Sequence, residues 1–213
     1  MKDKLLLPIK SIQAKYIPLL VVYFTTGLSG LSAVTSTIFF KDAVTLSPAA
    51  LISLGVYISL PWSIKMVFGS LIDSVKLFGN NRKSYIYFGQ FLILLSTLGM
   101  VDIASTQYTV EMFGIYIAIL ISGLLGTTGT VMSDIVADVM AIELVPDDHP
   151  NKGKEYGIIQ VLSRLSLVTG AVIGAALTGS IATYLSLAAG FATTLICPVI
   201  AVIATMTAKV GHT

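Results

Sequence analysis

The stretch Val56–Gly89, VYISLPWSIKMVFGSLIDSVKLFGNNRKSYIYFG, decides how the chain is read. It opens as an apolar helix of membrane-spanning character and runs into a polar loop carrying Arg82 and Lys83. Lys65 stands inside the apolar part, four residues after Pro61. A full positive charge in hydrocarbon is costly unless it is paired or hydrated, so Lys65 asks for partners elsewhere in the chain.

Composition agrees with a bilayer as the solvent. The 213 residues are 55 % hydrophobic and only 11 % charged, with a mean hydropathy of +0.89. A soluble globular domain carries about 25 % charged residues. Glycine, at 18 residues, is abundant, as is usual in membrane helices. The net charge of +2 is small, and no nucleic-acid partner is expected. One cysteine, Cys197, excludes a disulfide within the chain. His149 and His212 lie far apart in polar segments, so neither a metal site nor a cofactor is expected.

A spanning helix needs roughly 20 mostly apolar residues. Six stretches qualify: 18–40, 49–72, 84–104, an unusually long 111–140, 156–178 and 183–206. Their apolar runs are too long, and too poor in period-two alternation, for strands of a barrel. The expectation is an all-α polytopic membrane protein. Residues 1–17 form an N-terminal arm, 18–206 a bundle of six transmembrane helices, and 207–213 a tail. The arm's first apolar run is three leucines long and no small-residue cleavage site follows closely, which reads as a retained arm rather than a cleaved signal.

Basic residues set the orientation. Lys2, Lys4, Lys10 and Lys15 lie in the arm, Lys76, Arg82 and Lys83 between the second and third spans, Lys152 and Lys154 between the fourth and fifth, and Lys209 in the tail. On the other side only Lys41 stands, beside Asp42. Both termini are therefore expected in the cytoplasm. The plasma membrane and a plastid membrane are not distinguished.

Six ionisable groups stand in or at the ends of spans: Lys65, Asp73, Asp134, Asp138, Glu143 and Arg164. At 1.5 Å per residue, Lys65 sits roughly 12 Å from the end of its helix near Asp73, and Arg164 about 12–15 Å into the fifth span. Asp134 and Asp138 sit about 13 Å and 8 Å from Glu143 on the same scale. Four charges from three spans thus fall at comparable depth, two of each sign. Asp134 and Asp138 are four apart and share one helix face. One reading is an ion-pair network that only holds helices together. The other is a polar cavity in which Lys65 and Arg164 attract an anionic solute and Asp134 and Asp138 carry protons.

Pro61 removes a backbone donor and frees a carbonyl near Tyr57, so it marks either a kink that widens a cavity or a packing bend. Pro198 carries the same two readings. Gly27 with Gly30, the glycines at 123, 126 and 129, and the pair Gly170 and Gly174 read as close helix contacts.

These residues carry a resemblance. GSLIDSVKLFGNNRKSY, with Gly69, Asp73, Arg82 and Lys83, resembles the loop motif between the second and third helices of the major facilitator superfamily. Its long spacing is similar to the folate–biopterin transporter family within it. LSPAALISLGVYISLPWSIKMVFGSLIDS, with Pro61, Trp62 and Lys65, looks like that family's second helix. SDIVADVMAIE, with Ser133, Asp134, Asp138 and Glu143, looks like its fourth. The spacing of Gln160, Gly170 and Gly174 resembles its fifth. There are departures: Met66 replaces a frequent proline, and Arg82–Lys83 follows Asn80–Asn81 where the family is richer in arginine.

The resemblance covers roughly residues 18–206. It implies a secondary active transporter for folate, a pterin or a related organic anion, coupled to protons as a symporter. Lys65, Asp134, Asp138 and Arg164 would line its path, and Gly69, Asp73, Arg82 and Lys83 would form a gating motif. Arg82 and Lys83 have a second reading as anchors to anionic lipid. The superfamily uses twelve helices in two halves with the site between them, so six spans read as an N-terminal half. The expected partners are the solute, protons, the bilayer, and a second six-helix half or another copy. A non-catalytic scaffold or accessory subunit is the alternative. An intramembrane enzyme is disfavoured: both histidines lie outside the spans and both deep aspartates lie on one helix.

Overall fold

The computed structural model describes residues 13–29, 31–42, 46–75, 83–146 and 150–207. Among them every regular element is helical. A single 3-10 turn, Ala14–Tyr16, leads into ten α-helices. These are α1 (Ile17–Ser29), α2 (Leu31–Asp42), α3 (Pro48–Ser63), α4 (Lys65–Ser74), α5 (Lys83–Ala104), α6 (Tyr108–Phe113), α7 (Ile115–Glu143), α8 (Lys152–Tyr184), α9 (Leu187–Thr193) and α10 (Ile196–Thr207).

Five stretches among the described residues are long and apolar enough to cross a membrane: Pro48–Ser74, Lys83–Ala104, Ile115–Glu143, Lys152–Leu177 and Leu187–Thr207. The chain is thus an all-α polytopic membrane protein. The span expected at 18–40 falls on α1 and α2, which flank residue 30, itself outside the described residues. With 13 and 12 residues, neither helix alone reaches the roughly 20 that a crossing needs.

Local chemistry explains where helices start and break. Ser47 caps α3, its hydroxyl accepting from the Ala50 amide at 3.3 Å, and Pro48 occupies the first turn, where its missing amide costs nothing. Between α3 and α4 the helix is interrupted at Ile64, with φ −103° and ψ 21°. The interruption follows Pro61 by three residues and makes Lys65 the first residue of α4. Pro198 lies in the first turn of α10, just after the break at Thr194 and Leu195, where a helix tolerates proline.

Expected span starts change; the fifth begins at Lys152 instead of 156. The long fourth span at 111–140 divides at Gly114, whose φ of +78° favours a glycine, and the crossing helix begins only at Ile115. The short α6 before it is held by Asp102, whose carboxylate accepts from the Thr109 amide at 2.8 Å and from the hydroxyls of Thr106 and Thr109. The last span starts at Leu187 instead of 183, because α8 runs on to Tyr184.

Helix α5 packs along α7, and α1 along α8. Glycines permit both approaches. A Cβ at Gly89 or Gly129 would meet the other's carbonyl oxygen, and one at Gly27 or Gly170 would meet the carbonyl of Leu167 or Phe24. Small residues replace hydrophobic driving force in this way when the surroundings are lipid. Two apolar clusters result. One gathers Tyr16, Tyr23, Ile72, Tyr85 and Val136 near the Glu143 end of α7; the other gathers Phe39, Leu54, Ile103, Ile119 and Phe191 toward its Ile115 end. Met66 and Ile52 point outward, 90 % and 70 % exposed, as lipid-facing side chains do.

Candidate functional site

Lys65, Asp134, Asp138 and Arg164 meet at one place. The Lys65 Nζ donates to Asp134 Oδ2 at 2.6 Å and to Asp138 Oδ2 at 3.3 Å. An Arg164 Nη2 lies 4.0 Å from Asp138 Oδ1. The two carboxylates reach one ammonium because they stand four residues apart on α7. The break at Ile64 brings Lys65 to them at the start of α4. Four charges sum to zero, which is how a low-dielectric site tolerates ions.

Tyr23, from α1, completes the cluster and was not singled out by the sequence. Its hydroxyl donates to Asp138 Oδ1 at 2.6 Å, and its ring lies 5.8 Å from the Arg164 guanidinium carbon, within cation–π range. A signal existed: a tyrosine buried in an apolar helix needs a partner for its hydroxyl. Trp62 also joins, its ring 5.7 Å from the Lys65 Nζ. Gln90, buried in α5, donates to the Ser133 hydroxyl at 3.1 Å, beside Asp134 in the chain. Exposure is graded across the cluster. Asp134 is 5 % exposed, Asp138 30 %, Lys65 33 % and Arg164 56 %.

A cavity of about 310 Å³ adjoins the cluster on the side of the Ile115 end of α7. Ser96, Thr127, Thr130, Phe40, Trp62 and Phe191 are among the residues that line it. No charged side chain lines it among the described residues. Trp62 and Thr130 belong to both regions: Trp62 faces Lys65, and Thr130 stands one helical turn before Asp134.

The motif residues are more scattered. Gly69 is half-buried in α4, Asp73 is exposed near its end, and Lys83 opens α5, while Arg82 lies outside the described residues. So do His149, His212, Gly30, most of the N-terminal arm and all but the first residue of the expected C-terminal tail. What ties α4 to α5 here is Tyr85, whose buried hydroxyl donates to the Val75 carbonyl at 3.1 Å. Glu143 is exposed at the end of α7. Gln160 donates to Tyr156 at 3.0 Å on its own helix.

At the end of the bundle near Glu143, Glu155 of α8 receives Lys15 at 2.9 Å and the buried Tyr16 hydroxyl at 2.5 Å. Burial, then the hydrogen bond from the phenol to that carboxylate, push the Tyr16 phenol above its ordinary range.

Comparison with known proteins places the chain in a family. The chain is 29 % identical over 187 residues to the folate-biopterin transporter of Synechocystis sp., covering 86 % of the chain and 35 % of that protein. It is 34 % identical over 92 residues to folate transporter 1 of Plasmodium falciparum, covering 42 % of the chain and 18 % of that protein. By name these relatives are transporters, not enzymes. The chain spans about a third of the length of the Synechocystis relative. No solved structure matches it. Residues 26–211 match the BT1 family, and the chain belongs to that family.

Proposed function

We propose that the chain forms the N-terminal six-helix half of a proton-coupled carrier for folate, a pterin or a related organic anion. The observation that carries this reading is the Lys65 ammonium shared between Asp134 and Asp138 inside a membrane bundle, with Arg164 beside it and partly open. Ionisable groups at such depth mark translocation paths. The names of the relatives supply the solute class.

In this mechanism Lys65 and Arg164 receive the carboxylate of the solute. Arg164, the most exposed of the four, makes first contact and stays beside Asp138, since a guanidinium has donors enough for two carboxylates. Lys65 then exchanges an aspartate for the solute, and a proton compensates the aspartate it leaves. Asp73, Gly69, Arg82 and Lys83 act as the gate at the cytoplasmic end, with both termini on that side.

A second six-helix bundle covers the open side of the site. The stretch Pro48–Ser74 is the least buried of the five crossing stretches. Its outward side chains include Val56, Leu60, Trp62 and Val67, beside the partly exposed Lys65. Burying that face also removes the charges from contact with lipid.

The test is uptake of radiolabelled folate, a pterin and unrelated organic anions by vesicles containing the full-length protein, with and without an inward proton gradient. Saturable, gradient-stimulated uptake of the pterin-containing anions is expected. Equal, unsaturable entry of every anion tested contradicts the reading.

A further inference from the structure

The two aspartates of the cluster are not equivalent. Asp138 Oδ1 accepts from Tyr23 at 2.6 Å and faces Arg164 at 4.0 Å, while its Oδ2 accepts from Lys65 at 3.3 Å. Asp134 is the more deeply buried, and among the described residues Lys65 alone hydrogen-bonds its carboxylate, at 2.6 Å. Groups on the elements around the two aspartates agree with this division. Helix α4 brings Lys65, α1 brings the Tyr23 phenol to Asp138, and α8 brings Arg164 to Asp138. Helix α5 brings the uncharged Gln90 to the adjacent Ser133, and α3 brings Trp62.

We infer that Asp134 is the proton-binding group of the cluster and that Asp138 is its permanently ionised anchor. The inference rests on the carrier reading for its purpose, though not for its geometry. When Lys65 swings to a solute carboxylate, Asp138 keeps the Tyr23 hydroxyl and the Arg164 charge. Asp134 keeps neither. A buried carboxylate stripped of its counter-ion is strongly unfavourable, and a proton from water neutralises it. The balance is simple: one proton leaves the aqueous phase, Asp134 becomes a neutral acid, and the ammonium stays charged on the solute. The adjoining cavity is where that water can stand. It has room for roughly ten waters at about 30 Å³ each. Its wall at Thr130 is one turn from Asp134. The Thr130 hydroxyl donates to the Gly126 carbonyl at 2.8 Å, which leaves its oxygen free to accept from water. Tyr23 is then a positioning residue, since it sets which aspartate stays ionised.

Infrared spectroscopy of the purified full-length protein tests this without any transport. Lys65→Ala mimics the withdrawn ammonium. A protonated-carboxyl band absent from the wild type at pH 7 should appear in it. That band should vanish on adding Asp134→Asn and persist on adding Asp138→Asn. Lys65→Met keeps the packing of the stem and serves where the alanine variant does not fold. Absence of the band from both Lys65 variants, or its loss with Asp138→Asn in place of Asp134→Asn, overturns the assignment. Folate uptake by the same wild-type preparation tests the carrier reading separately.

Discussion

The Lys65 Nζ lies 2.6 Å from Asp134 and 3.3 Å from Asp138, so one ammonium from α4 holds two carboxylates of α7. The arrangement stores a choice. If Lys65 turns to an incoming anion, two negative charges lose their shared partner at once, and Tyr23 and Arg164 remain to satisfy only one of them. On the proposed carrier function, substrate binding and proton uptake are linked in this way by a single side chain.

Tyr23→Phe should separate the anchor from the rest of the cluster. A hydrogen bond to an ionised group contributes about 1.5–3 kcal/mol. The variant should melt several degrees below the wild type in detergent. Its proton-driven folate uptake should also weaken, because both aspartates then compete for protons. A thermal-shift assay and uptake in reconstituted vesicles measure the two effects.

Helix approach through α1 and α8 depends on Gly27, over which the Leu167 carbonyl sits directly. Gly27→Val inserts a branched side chain there and should destabilise the bundle by about 1–3 kcal/mol. Gly55, with nothing near its missing Cβ, should accept alanine with little change. Expression and melting temperature of the two variants, compared side by side, check the contrast.

How much of this was legible in the sequence follows from what a helix hides. The depth of Lys65 and the shared face of Asp134 and Asp138 need only 1.5 Å and 100° per residue, and both could be read directly. The join between the four charges needed helix rotation. In uniformly apolar helices no periodicity fixes rotation, so which residue of α1 would face Asp138 was invisible, and Tyr23 went unnoticed. The break at Gly114 was hidden for a related reason: apart from Glu111, the residues from Val110 to Phe113 continue the apolar run. The interruption at Ile64 was foreshadowed by Pro61, though its position was not.

Tyr16 offers a prediction on pH. Its folded phenol is shifted above the ordinary value of 10.0 by burial and by Glu155. A raised folded value means the neutral phenol stabilises the fold. That contribution is present below about pH 10 and is lost as the pH rises further. Tyr16→Phe should be less stable than the wild type at pH 8, by about 1.5–3 kcal/mol. The gap should narrow in melts recorded above pH 10.

Lys65 itself gives the most direct test. Full-length wild type and Lys65→Ala are compared for folate uptake in vesicles matched for inserted protein, with Lys65→Arg as the charge-keeping control. The shared ammonium predicts a loss of at least about tenfold in Lys65→Ala, equivalent to about 1.4 kcal/mol or more, with partial uptake in Lys65→Arg. Uptake by Lys65→Ala at the wild-type rate, from protein correctly inserted, contradicts it.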